Sequence, residues 1–120
     1  MPRQSEQSDR SKGRPDHLHG TLDALVLKTL SWGARHGYAI ARWLEQATED
    51  ALRIEEGSLY PALYRLEKRG WIEAEWGMSE LGRRAKFYRL TPRGRTALQH
   101  EADEWRRFAA AVSRVLLAEA

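Results

Sequence analysis

Residues 55–70, EEGSLYPALYRLEKRG, carry two tyrosines, an arginine and a lysine at helical intervals. At about 100° per residue, Tyr60, Pro61, Tyr64, Arg65 and Lys68 fall on one face, and Leu59, Ala62, Leu63 and Leu66 on the other. Such a front has a definite chemistry. Arg65 and Lys68 can reach phosphates or guanine edges, and the tyrosines can donate to phosphates or pack on thymine methyls. Ser58, with the amides of the first turn, adds donors suited to a phosphate.

A second cluster follows. From Glu80 to Arg95 the basic residues are Arg83, Arg84, Lys86, Arg89, Arg93 and Arg95, against Glu80 alone, a local charge of +5 in a chain whose total is +3. A run of this kind is either a solvated surface or the footprint of a polyanion. Its neighbours decide between them.

Those neighbours are short elements. In GTLDALVLKTLSWG, Thr21 is the expected N-cap and Gly33 the stop, and Leu22, Leu25, Val26, Leu27 and Leu30 give a helix with a wide apolar face. ARHG reads as a turn. YAIARWLEQATEDA is a second helix, with Ile40, Trp43, Leu44 and Ala47 at core spacing. In the third, Ser58 is the expected N-cap, which puts Pro61 in the first turn, and Gly70 ends it. WIEAEWGM and AKFYRL alternate like strands and are joined by a loop containing Gly82, so they predict a hairpin with a positive tip. Which face of WIEAEWGM turns inward is open.

Thr91 as N-cap and Pro92 at N1 open a last helix that nothing interrupts before the C-terminus. Some 25 residues at about 1.5 Å each span nearly 40 Å, longer than so small a domain can cover. Its apolar positions, Leu98, Ala102, Trp105, Phe108, Val112, Val115 and Leu116, recur every three or four residues, as in a coiled-coil seam. A second copy of the chain is the simplest partner for that stripe.

Helix, helix, helix, hairpin, long helix is the winged helix-turn-helix order. The expected fold is therefore mainly α with a β-hairpin wing, plus a long C-terminal dimerisation helix. The expected division is a flexible arm over 1–17, a DNA-binding domain over 18–91 and the dimerisation helix over 92–120. The arm is nearly free of apolar side chains and cannot offset its ordering entropy by burial. The third helix would enter the major groove of double-stranded DNA. The wing, with Arg83, Arg84 and Lys86, would lie along the backbone or enter the minor groove.

GTLDALVLKTL, HGYAIARWLE, EEGSLYPALYRLEKRGWIEAEWG and RRAKFYRLTPRGRTAL, in that order, closely resemble the PadR family of bacterial transcriptional regulators. The resemblance runs from about Leu18 to Leu116. It implies a cytoplasmic, homodimeric regulator that binds a palindromic operator and usually represses. It carries the groove role to Ser58, Tyr60, Tyr64, Arg65 and Lys68, the wing role to Arg83, Arg84 and Lys86, and a phosphate contact to Tyr38. In the short subgroup the last helix pairs with the first, which implies an interface of Leu22, Val26, Leu98, Trp105, Phe108, Val112, Val115 and Leu116. Short members can also bind flat aromatic effectors stacked on a tryptophan between the C-terminal helices. Trp105 holds the matching position, where it either fills the seam or faces such a ligand.

Rival readings are weak. No stretch approaches the roughly 18 apolar residues of a membrane span. With no cysteine there is neither disulfide nor thiolate metal site. His17, His19, His36 and His100 assemble no evident metal or catalytic set, and there is no glycine-rich phosphate loop, so neither enzyme nor cofactor is expected. A winged helix used purely for protein docking is the remaining alternative, and the positive front argues against it.

Overall fold

In the computed structural model, residues 21–119 are described. The expected arm over 1–17, with His17 and His19, lies outside them. The elements are α1 (21–29, continued by a 3-10 turn over Leu30–Trp32), β1 (Arg35–His36), α2 (Gly37–Ala47), α3 (Glu56–Lys68), β2 (Ile72–Met78), β3 (Arg84–Leu90) and α4 (Pro92–Leu116). This is the winged helix-turn-helix order with one long C-terminal helix, as expected. Among the described residues no helix is long and apolar enough to cross a membrane.

One core joins the helices to the sheet. Val26, Leu27, Leu30, Ile40, Leu44, Leu59, Leu63, Leu66 and Ile72 are buried together, with Tyr88 and Leu90 closing one side. The leucine back of α3 is wholly inside, as its spacing predicts. The antiparallel sheet has the order β1-β3-β2, with Ile72 opposite Leu90 and Trp76 opposite Lys86. Ile72 and Leu90 are both buried and Ala74 is partly so, so this side of β2 turns inward at the start of the strand, while Trp76, on the same side further along, is exposed.

Several local expectations change. ARHG is more than a turn, because Arg35 and His36 pair with Tyr88 and Phe87 as a third strand. Thr21 already lies within α1, and Gly33 ends that segment at φ 142°. α2 stops at Ala47 rather than Ala51, since Glu49 and Asp50 adopt left-handed φ values of 51° and 66°. α3 begins earlier than expected. Its N-cap is Glu55, Ser58 is inside the first turn, and Pro61 lies within the helix. The start of α4 agrees with the sequence signals, Thr91 accepting a hydrogen bond from the Gly94 amide and Pro92 following at N1, but the helix ends at Leu116 rather than running on to the C-terminus.

Thr91 also joins α4 to the sheet. Its hydroxyl donates to the Gly70 carbonyl at 2.7 Å, and its amide donates to the Trp71 carbonyl at 3.1 Å. Gly94 is buried directly against that carbonyl, with no space for a β-carbon.

Candidate nucleic-acid interface

The front of α3 is exposed. Ser58, Tyr60, Pro61, Tyr64 and Lys68 all face solvent. The Lys68 ammonium sits 5.5 Å from the Tyr64 ring, a cation–π pair that holds both side chains on one stripe. Tyr60 is anchored at its other edge. Its hydroxyl and ring lie over Gly37 at the start of α2, where an added β-carbon would come within 2.8 Å of the hydroxyl. A glycine there therefore sets the position of a front residue.

Arg65 does not join this stripe. Its Nη2 donates to Asp23 Oδ1 at 2.8 Å and its Nε to Oδ2 at 3.4 Å. Arg69 reaches the same carboxylate at 3.6 Å. Asp23 is 3% exposed, so burying its charge requires these partners. The angular reading put Arg65 with Tyr64, but a buried acid 42 residues earlier turns it toward α1. Ser58 is likewise no cap: it is an exposed hydroxyl on the first turn, and its amide already donates to the Glu55 carbonyl. With Glu55 and Glu56 beside it, that turn is a poor anion site.

On the wing, Arg83 and Arg84 are exposed and make no ion pair among the described residues. The Arg84 guanidinium stacks 4.8 Å from the Trp76 ring. Lys86 instead pairs with Glu67 of α3 at 3.9 Å, so it joins the wing to the helix. Arg89 is neutralised across the sheet by Glu73 and Glu75, at 3.1 and 3.2 Å. The +5 run is thus less positive in space than along the chain: among the described residues its arginines without an ion pair are Arg83 and Arg84 at the wing and the exposed Arg93 and Arg95 at the start of α4.

His36 links α2 to the wing. Its Nδ1 accepts from the Ala39 amide at 3.2 Å and caps α2, while its Nε2 lies 3.5 Å from Glu80 Oε1 at the wing tip. With Nδ1 as acceptor, the proton belongs on Nε2, facing Glu80. A backbone hydrogen bond, then the His36 ring, hold the Glu80 carboxyl below its ordinary value. Tyr38, two residues on, is exposed beside this contact. Among the described residues no group of three His, Cys, Asp or Glu could hold a metal.

The expected seam divides. Trp105, Phe108, Val115 and Leu116 are exposed on α4, and Leu22, Leu98 and Val112 are partly covered. Val26 is 0% exposed and belongs to the protomer core, so it offers no surface to a second chain. α1 and α4 border a groove of about 490 Å³ lined by Leu25, Leu98, Ala102, Trp105 and Phe108. Glu101 also lines it, and burial pushes its carboxyl up.

Asp23, Gly37 and Gly94 carried no functional expectation. Asp23 alone left a trace, a single acid among the apolar positions of the first helix, which demands a partner without saying which.

Residues 26–100 match the Transcriptional regulator PadR-like family. An uncharacterised protein of Lysinibacillus sphaericus is 35% identical over 92 residues, covering 77% of this chain and 84% of that protein. Among solved structures, a transcriptional regulator from Clostridium thermocellum superposes with a TM-score of 0.76 at 31% identity, covering 84% of this chain and 98% of the other. A PadR-like transcriptional regulator from Bacillus cereus gives 0.72 at 29% identity, covering 87% and 99%.

Proposed function

The chain belongs to the PadR-like family of DNA-binding transcriptional regulators, which are not enzymes, and from that premise we propose that it is a homodimeric repressor acting on a palindromic operator in the bacterial cytoplasm. Residues 18–91 bind DNA and 92–120 dimerise. Each copy sets α3 into a major groove, where Ser58 meets base edges and Tyr60, Tyr64 and Lys68 meet bases and phosphates. Tyr38, Arg83 and Arg84 meet the flanking backbone. Arg65 acts indirectly, by fixing α3 against α1, and Lys86 by holding the wing.

The observation that carries this reading is the exposed tyrosine–lysine stripe of α3 beside a wing tip whose two arginines have no ion-pair partner among the described residues. Unpaired cations next to a helix about 10–12 Å across, the width of the major groove, match a duplex in both charge and shape, which supports DNA over a protein docking partner.

The dimer rests on α4. Val115 and Leu116 are about three-quarters exposed near the end of a 25-residue helix. Pairing two such helices removes this apolar surface from water. The groove beside Trp105 would then lie at the seam and take a planar aromatic effector, stacked on the indole, that releases the protein from DNA.

Selecting bound sites from random duplex DNA tests the proposal. A two-fold symmetric motif is expected, with affinity falling steeply as salt rises. Lys68→Ala and Arg83→Ala should each flatten that slope by about one unit. No enrichment of any sequence would end the operator reading.

A further inference from the structure

Beyond the front of α3, the wing tip and α2 enclose a cleft of about 680 Å³. Arg35 of β1, Arg42 of α2 and Arg83 and Arg84 of the wing line it, together with Ala39 and Trp43. Arg42 lies four residues after Tyr38, so the two project from one side of α2. Among the described residues Glu80 is the only carboxylate lining the cleft, and it is engaged by His36 at 3.5 Å. Four arginines therefore line one concave surface with one partly satisfied negative charge among the described residues, the Arg84 guanidinium lying toward Trp76 at its edge.

Arg35 adds an independent sign. Its Nε is buried and has no hydrogen-bond partner among the described residues. A buried donor without an acceptor is costly, and here the donor belongs to a permanently charged group. Its guanidinium carbon lies 6.0 Å from the Trp43 ring, which holds the fork in place without supplying an acceptor.

We propose that this cleft is a seat for phosphoryl oxygens and that, on DNA, it holds a stretch of sugar–phosphate backbone between α2 and the wing tip, making Arg35 and Arg42 DNA-binding residues. The inference rests on the DNA-binding reading and extends its footprint. Shape argues for backbone over bases, because base edges lie inside a groove and are reached by a protrusion, whereas a convex strand fits a concavity. Chemistry argues the same way, since the planar arginine fork matches phosphate oxygens in pairs. The His36–Glu80 contact ties the wing tip to the start of α2 and so keeps the two elements in register.

The test uses the full chain and its selected DNA site, with affinity followed across a salt series. Arg42→Gln and Arg35→Gln should each weaken selected and unrelated DNA by a similar factor and lower the salt slope by about one unit. Arg42 is exposed, so its variant answers the question even if Arg35→Gln fails to fold. Parent protein that binds DNA with a steep slope, unchanged in Arg42→Gln, overturns the proposal while sparing the regulator reading. Parent protein that binds no DNA overturns both. Inorganic pyrophosphate serves as the free-anion probe: if it binds the parent and not Arg42→Gln, while DNA binding is the same in both, the seat belongs to a small anion and the backbone assignment is overturned.

Discussion

Arg65 of α3 holds both carboxylate oxygens of Asp23 on α1, at 2.8 and 3.4 Å, and so fixes α3 to the element that borders a groove with α4. The pair joins the surface proposed for DNA to the one proposed for dimerisation.

Asp23→Ala leaves Arg65 without its acceptor. Breaking a fully buried pair costs about 3–5 kcal/mol, but the Arg65 side chain is 32% exposed and solvent screens part of that. A loss of about 2 kcal/mol is expected, read as a lower midpoint in urea unfolding at unchanged slope. A double variant with Arg65→Met should recover part of it, since no charge is then stranded. Equal midpoints for Asp23→Ala and the parent would remove the pair from the stability of the fold.

Two glycines should respond with opposite sign. A β-carbon at Gly94 would be driven into the Trp71 carbonyl, which is backbone and cannot step aside. Gly94→Ala should cost about 3 kcal/mol and loosen α4 from the sheet. At Gly57, helical in α3 with nothing within 4 Å, alanine should add about 0.5 kcal/mol by restricting the unfolded chain. Thermal melts of the two variants should move in opposite directions. A shared direction would show that the packing around Gly94 is misjudged.

Glu101 titrates against the fold. Burial, the largest cause, raises its carboxyl above the ordinary glutamate value, with nearby Asp23 adding in the same sense and His100 and Arg69 opposing. The folded chain therefore holds this proton more tightly than the unfolded one. Its contribution is most favourable below the ordinary value and declines as pH rises through the raised one. Glu101→Gln should remove that decline: it should melt above the parent at neutral pH and level with it in acid. A constant offset at every pH would make the effect one of packing instead.

On α4, Val112 is half-covered between Phe108 and Val115, both exposed. Val112→Glu should place a carboxylate in the proposed dimer seam, where its desolvation opposes association. Sedimentation should then show a monomer whose circular dichroism matches the parent. A dimer of parental strength would put the seam on another face.

Short-range signals survived folding best. The leucine back of α3, the start of α4 at Thr91 and Pro92, the two strands of the wing and the break at Gly33 each depend on contacts within about one helical turn or one hairpin, and each was legible in a short window of residues. The front of α3 was legible too, because solvent imposes no further choice on Tyr64 or Lys68. What sequence spacing left open or misplaced depends on partners far along the chain. Arg65 turns away because Asp23 is buried 42 residues earlier, and His36 meets Glu80 across 44 residues. A two-residue strand at Arg35–His36 exists only because β3 supplies its partner. Val26 and Leu22 share one apolar stripe, yet the three-dimensional packing covers Val26 completely and leaves Leu22 partly open. Periodicity reports which residues are apolar or share a face; which neighbour covers or pairs with them is set by how the elements pack, and no local pattern encodes that.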